Sequence, residues 1–360
     1  MGLISFAKKI VMSDFYPLQV LSVDPLTPNA VALTFEVPET LKDAFQFQAG
    51  QYITIKKELN GKELRRAYSI SSAPSSGKLT VGIKKMSNGT FSKYANESIS
   101  AGDTLEVMPP EGRFIFNENA TSRTIGAFAA GSGITPILSI AQTVLESHKD
   151  NHFVLVFGNQ SPKEAMYRED LVDLKEKYND RFFIQWVYSR SSESDSLFGR
   201  IEKATVNLIL KNKFKEFLFD AFYLCGPEKM ITTVTDTLKS NGISQEKILF
   251  ELFTSSETPQ NDVEGLDGKS KVTVVLDDEE LEFTMDQKEL VLDAVLKNDI
   301  DAPYSCQGGV CSSCIARVVE GEAEMVKNQI LTDSEVAEGL ILTCQAHAKT
   351  ALLKIDYDDV

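Results

Sequence analysis

The sequence predicts a multidomain chain of β, α/β and α+β parts in that order: an antiparallel β-barrel, a doubly wound parallel sheet and a small strand-and-helix domain. Three observations carry this. From Tyr16 to Met108 short alternating apolar runs are separated by turn signals; from Ala120 to Phe253 apolar strands alternate with helical patterns; after Lys271 two strand patterns and a helical one lead into a tight loop of cysteines. At 360 residues the chain is too long for one ordinary core, and its 42% hydrophobic content is that of a globular protein. The expected boundaries are 1–115 for the barrel, 116–254 for the parallel sheet and 269–360 for the last domain. Thr254 to Lys269 is rich in Ser, Thr, Pro, Asn, Asp and Gly and has no periodicity, so 255–268 reads as a linker.

Barrel strands are expected at Leu18–Val23, Val31–Val37, Tyr52–Lys57, Leu64–Ile70, Leu79–Lys84 and Thr104–Val107, with Asn60-Gly61 as a hairpin turn between the third and fourth. The fourth carries Arg66-Ala67-Tyr68-Ser69, followed by Ile70-Ser71-Ser72. This run resembles the flavin signature of the ferredoxin-NADP reductase-like family. The residue types suit what the resemblance implies: a guanidinium for phosphate, a phenol to lie against the isoalloxazine, and a hydroxyl on Ser69 near flavin N5, which makes Ser69 a catalytic candidate. Gly82-Ile83-Lys84 and then Gly89-Thr90-Phe91-Ser92 match the family's second flavin segment, where amides and a hydroxyl opening a helix hold phosphate. FAD is the expected flavin, as in the members that R-x-Y-S-I-S-S resembles. FMN, used by some relatives with a terminal ferredoxin, is the alternative.

In the middle region strands are expected at Thr124–Ala129, Phe153–Phe157, Phe182–Tyr188, Ala221–Leu224 and Lys247–Leu252, with ligands at their carboxyl ends. There Gly131-Ser132-Gly133-Ile134-Thr135-Pro136 turns from strand into helix and resembles the reductase family's pyrophosphate loop. Its glycines let the backbone approach a diphosphate, and the helix start supplies amide donors. The third strand ends in Tyr188-Ser189-Arg190, where an NAD enzyme often has a carboxylate for the ribose hydroxyls. A hydroxyl and a guanidinium there, with Arg200 to assist, favour the 2′-phosphate of NADPH; an ordinary loop charge is the alternative for Arg190. By resemblance, Cys225-Gly226-Pro227 lies beside the nicotinamide and Glu251 near the reactive edge of the flavin, so Cys225 and Glu251 join the catalytic candidates. Phe253 is a candidate to stack where the nicotinamide enters.

Cys306, Cys311 and Cys314 follow the order C-x4-C-x2-C, and Cys344 stands thirty positions further on, the spacing of a plant-type [2Fe–2S] centre. Gly308-Gly309 permits the tight turn around one cluster. The alternative, a four-cysteine zinc site, usually shows two C-x2-C pairs, and here there is one. The stretch from Lys271 to Val360 resembles a plant-type ferredoxin domain, which implies a β-grasp fold.

Most of the formal net charge of −15 belongs to this last domain: from Ser270 onward there are 19 Asp and Glu against 7 Lys and Arg. Nucleic acid is therefore not an expected partner. No run reaches the roughly 18 apolar residues that span a bilayer. Met1–Asp14 lacks the features of a secretory signal, so the expectation is a cytoplasmic chain with no membrane partner. An acidic rim suits a basic acceptor protein docking at the iron–sulfur domain, an effect on association rate more than on affinity; a merely solvated face has the same composition. Taken together, the three regions resemble the reductase components of multicomponent oxygenases. The resemblance implies FAD, NADPH and a [2Fe–2S] cluster, hydride entering and single electrons leaving toward a diiron oxygenase. The alternatives are a reductase for another oxygenase or a free carrier, and a redox sensor without turnover.

Overall fold

The computed structural model describes residues 15–117, 122–253 and 268–360, so the Met1–Asp14 leader and all but Gly268 of the expected linker lie outside the described residues. The chain divides into two compact units, one over Pro17–Ser256 and one built on Glu257–Val360. Among the described residues no helix is long and apolar enough to cross a membrane.

The first unit begins with the barrel. Strands β1 (Tyr16–Thr27), β2 (Ala30–Glu36), β3 (Tyr52–Leu59), β4 (Lys62–Ser69), β5 (Leu79–Lys84) and β6 (Thr104–Val107) form a six-stranded sheet ordered β4-β3-β6-β1-β2-β5, with helix α1 (Thr90–Glu97) between the last two. Its edges meet where Ile70 bridges Val81, which closes the barrel over Leu18, Leu33, Ile53, Ile55 and Ile83. Asn60 and Gly61 have φ of 55° and 73°, the left-handed pair that a two-residue hairpin turn requires.

The same unit continues with β7 (Thr124–Ala130), α2 (Ile134–Ser147), β8 (His152–Asn159), α3 (Arg168–Lys177), β9 (Phe182–Tyr188), β10 (Ser196–Phe198), α4 (Lys203–Leu208), β11 (Ala221–Cys225), α5 (Glu228–Ser240) and β12 (Ile248–Glu251). Its strands are all parallel and ordered β10-β9-β8-β7-β11-β12. Helices α2 and α3 accompany the walk from β7 toward β10, and α4 and α5 the return; right-handed crossovers therefore put the two pairs on opposite faces. The first pair packs on Ile125, Ala127, Phe153, Leu155 and Phe157. The order reverses between β7 and β11, so the crevice at their carboxyl ends is the place where such a sheet takes a ligand.

Barrel and parallel sheet press directly on each other. A Cβ on Gly82 of β5 would come within 2.8 Å of both Thr135 Cγ2 and Tyr167 Oη. The Ser71 and Tyr167 hydroxyls are 2.7 Å apart, and Ser139 Oγ donates to Ser72 O at 2.7 Å.

In the second unit β13 (Lys269–Leu276), β14 (Glu279–Asp286), α6 (Val291–Lys297), β15 (Ile315–Glu320), β16 (Ala323–Met325), α7 (Asp333–Ala337), β17 (Leu340–Leu342), β18 (Ala346–Ala348) and β19 (Leu352–Asp356) follow one another. A five-stranded sheet ordered β14-β13-β19-β15-β17 grips α6, which buries Val291, Leu292, Ala294 and Val295 against it: the expected β-grasp. The β13–β14 hairpin turns on Asp277 and Asp278, both left-handed with φ of 56° and 63°. The carboxylate of Asp358 accepts from both of their amides, at 3.0 and 2.9 Å, which offsets a conformation that aspartate tolerates better than most residues.

Candidate functional site

The end of β4 presents the R-x-Y-S residues in different ways. Arg66 is exposed, with Nη1 donating to Arg65 O at 2.6 Å. Ala67 is half-buried. The ring of Tyr68 lies 5.7 Å from that of Phe91, so the two flavin segments read separately in the sequence meet in the fold. Around Phe91, Thr90 is exposed at the first turn of α1, and Ser92 Oγ accepts from Met86 N at 3.1 Å. A Cβ on Gly89 would fall 2.2 Å from Ser92 Oγ, so that glycine makes room for the serine. Ile83 is buried in the barrel, and Gly82 is required by the packing against α2 described above. Lys84 reaches the other way. Its Nζ lies 3.9 Å from where a Cβ on Gly131 would sit, which places a cation beside the nucleotide turn.

That turn is built on contact. Gly131 is left-handed, with φ of 57°, and a Cβ on Gly133 would fall 2.1 Å from Cys225 O. The turns after β7 and β11 therefore touch through backbone alone, at the point where the strand order reverses. Ser132 is half-buried, and its carbonyl accepts from Thr135 Oγ1 at 3.0 Å. Thr135 and Pro136 are buried supports of the turn. On the β11 side Gly226 is half-buried and Pro227 exposed. Gly131→Ala is expected to lose about 1–2 kcal/mol through its left-handed backbone conformation. Gly133→Ala is expected to lose about 1–3 kcal/mol because the collision forces the two turns apart. Urea unfolding of both variants checks this order, and Gly133→Ala should also bind nucleotide more weakly.

At the far edge of the sheet β10 pairs with β9 in parallel, and Gly199 N donates to Tyr188 O at 2.8 Å. This three-residue strand, too short to leave a pattern, brings Phe198-Gly199-Arg200 beside Tyr188-Ser189-Arg190. Arg190 and Arg200 are both exposed there, and the amides of Ser189 and Arg190 are held by the carbonyls of Asn159 and Gln160. Asn159 itself went unread in the sequence. It ends β8 between the glycine turn and Ser189, with both polar atoms of its side chain buried and without a partner, and the only sequence signal was a lone amide closing an apolar run.

Between barrel and sheet lies a buried polar trio. Ser69 Oγ donates to Glu251 Oε2 at 3.0 Å, and Glu251 stands opposite Cys225 in the β11–β12 register. Burial lifts the Glu251 carboxyl to about 8, against the pull of the hydrogen bond from Ser69. Burial, then the neighbouring Glu251, pushes the Cys225 thiol well above its ordinary range, so it stays an inert thiol. At neutral pH the trio is uncharged and holds one proton on the carboxyl. Phe253 packs, partly buried, against the core beneath.

In the second unit the cysteine loop brings four sulfurs together. The Cys306 thiol is within hydrogen-bonding reach of those of Cys311 and Cys344, and Cys344 reaches Cys314 as well. Cys311, Cys314 and Cys344 are buried, and Cys306 is half-buried. Backbone amides aim at sulfur: Gly308 N lies 3.4 Å from Cys306 Sγ, and Gly309 donates to Cys344. Gly309 is left-handed with φ of 69°, as a loop folding back on itself demands. Four soft ligands in an apolar shell, contacting one another in pairs and supplied with amide donors, fit a [2Fe–2S] cluster.

The chain matches the family models described as oxidoreductase FAD-binding domain over residues 17–116, oxidoreductase NAD-binding domain over 128–236, and 2Fe-2S iron-sulfur cluster binding domain over 274–349. It is 37% identical to a 1,2-phenylacetyl-CoA epoxidase component of Escherichia coli K12, across 96% of this chain and 99% of that one. It is 31% identical to the ferredoxin reductase component of 3-ketosteroid-9-alpha-monooxygenase from Rhodococcus rhodochrous, across 94% and 96%. Among solved structures, phthalate dioxygenase reductase superposes with a TM-score of 0.61 at 22% identity, covering 95% of this chain and 98% of that one.

Proposed function

Because the chain belongs to the oxygenase-reductase family, with FAD-binding, NAD-binding and [2Fe–2S] domains on one polypeptide, we propose that it draws hydride from NADPH and delivers single electrons to an oxygenase of the phenylacetyl-CoA epoxidase kind. As an NAD(P)H-dependent iron–sulfur flavoprotein reductase it relies on bound FAD and a bound cluster to convert an electron pair into single electrons. The chain's own residues bind, orient and hold a proton. In this reading Arg66 and the start of α1 take the flavin phosphates, and Tyr68 lies against the ring system. Ser69, Cys225 and Glu251 line the reactive edge as an uncharged wall, so no fixed anion opposes an arriving hydride.

The observation that supports the reading is the close approach of the Gly133 and Cys225 turns, with Cys225 opposite Glu251 in the β11–β12 register and Glu251 accepting from Ser69. The same reading divides the chain at 1–115, 116–254, 255–268 and 269–360, and docks a basic oxygenase surface on the acidic last domain. The test is electron delivery. The purified chain should pass electrons from NADPH to a phenylacetyl-CoA epoxidase oxygenase component faster than to one from a 3-ketosteroid system; equal or reversed rates count against the partner.

For the coenzyme, Arg190→Ala is expected to weaken NADPH binding by about 1.5–3 kcal/mol, as for a hydrogen bond to a charged group. NADH binding should be unchanged. Equal losses for both nucleotides, measured by titration, would refute the 2′-phosphate role.

A further inference from the structure

The cysteine loop holds one polar group that the ligand set does not explain. Four hydroxyl residues are buried around it. Thr343 Oγ1 donates to Cys314 O at 3.0 Å and accepts from Tyr357 Oη at 3.0 Å, while Ser313 Oγ lies 3.6 Å from Cys311 Sγ. The fourth, Ser305, immediately precedes Cys306. It is 1% exposed, and its Oγ has no hydrogen-bond partner. Leaving a buried hydroxyl unmatched is unfavourable by about 1–3 kcal/mol, so such a group points to an acceptor that is not part of the chain.

What the loop encloses is sulfur. Resting on the [2Fe–2S] assignment of Cys306, Cys311, Cys314 and Cys344, we propose that the Ser305 hydroxyl donates a hydrogen bond to a sulfur of the bound cluster and so makes the cluster easier to reduce. Reduction adds one negative charge that spreads over the sulfurs, and a donor aimed at them stabilises the reduced form more than the oxidised one. The amides of Gly308 and Gly309 act in the same sense, but they belong to the backbone. Ser305 is a side chain through which the sequence adjusts the potential.

The experiment compares the wild-type chain with Ser305→Ala, each assayed for iron and sulfide, titrated for cluster potential and examined by pulsed EPR of the reduced protein in D2O. Ser305→Ala should keep its iron and be about tenfold harder to reduce, about 59 mV for one electron, and it should lose one exchangeable deuteron coupling. An unchanged potential with the coupling retained overturns the proposal. If Ser305→Ala fails to assemble a cluster, the nearly isosteric pair Ser305→Thr and Ser305→Val carries the test, since the two differ by the hydroxyl. Thr must hold the wild-type potential and Val must lose it; identical potentials overturn the proposal. A wild-type chain without iron and sulfide would instead refute the cluster assignment beneath it.

Discussion

Glu251→Gln is expected to remove one large pH-dependent contribution from the stability of the Pro17–Ser256 unit. The wild-type carboxyl is buried and lifted from 4.5 to about 8. Between those values the folded chain keeps a proton that the unfolded chain has released. The contribution is therefore complete below about pH 4.5 and is lost as pH rises through 8, at about 1.4 kcal/mol per pH unit and roughly 5 kcal/mol in all. Glutamine keeps the shape and a partner for Ser69 but does not titrate. Urea unfolding at pH 5, 7 and 9 should show the two proteins alike at the first and the variant more stable at the last. Parallel curves would mean that burial does not hold the proton. The same ionisation bears on catalysis, because above pH 8 a carboxylate would stand beside Cys225 and Ser69 where negative charge arrives. NADPH-driven reduction of ferricyanide should then slow in the wild type and stay level in the variant.

The residues that predict this effect are 182 positions apart, and no local pattern announces their meeting. What was legible was local. Alternation marked the barrel strands, Asn60-Gly61 marked a turn, and the cysteine spacing marked a cluster. The parallel strands were plain because both of their faces are covered and their runs are nearly all apolar. The sheet orders and the three-residue β10 were not readable, since pairing between distant strands leaves little trace in either one. Glycines were the least transparent. Gly82 and Gly89 were read with the flavin segment, yet the fold requires them against Thr135, Tyr167 and Ser92, because a glycine shows only that something comes close and not what. The unmatched hydroxyl of Ser305 lies further still from view, as the lack of a partner is a property of the finished loop.

Cys344→Ser is expected to separate the two halves of the activity. Cys344 lies on a short 3-10 turn after β17, 2% exposed, and Val326 N donates to the carbonyl of its neighbour Gln345 at 2.9 Å. On its other side Thr343 N donates to Cys314 O at 3.1 Å, so the turn is fixed from both sides, and a serine oxygen placed there is a harder and more basic ligand than a thiolate sulfur. Replacing an outer partner of a metal site commonly lowers affinity or activity 10–100-fold, so removing a ligand should reduce cytochrome c reduction at least about a hundredfold, with iron and visible absorbance of the cluster lost alongside. NADPH oxidation by ferricyanide, which needs only the Pro17–Ser256 unit in this scheme, should stay within about twofold of wild type. The second unit should also unfold at lower denaturant, since ligand binding there is folding free energy. Loss of both activities together would mean that Cys344 supports more than the cluster. Retention of both would mean that electrons leave the chain without passing the four cysteines, and the order of carriers would have to be redrawn.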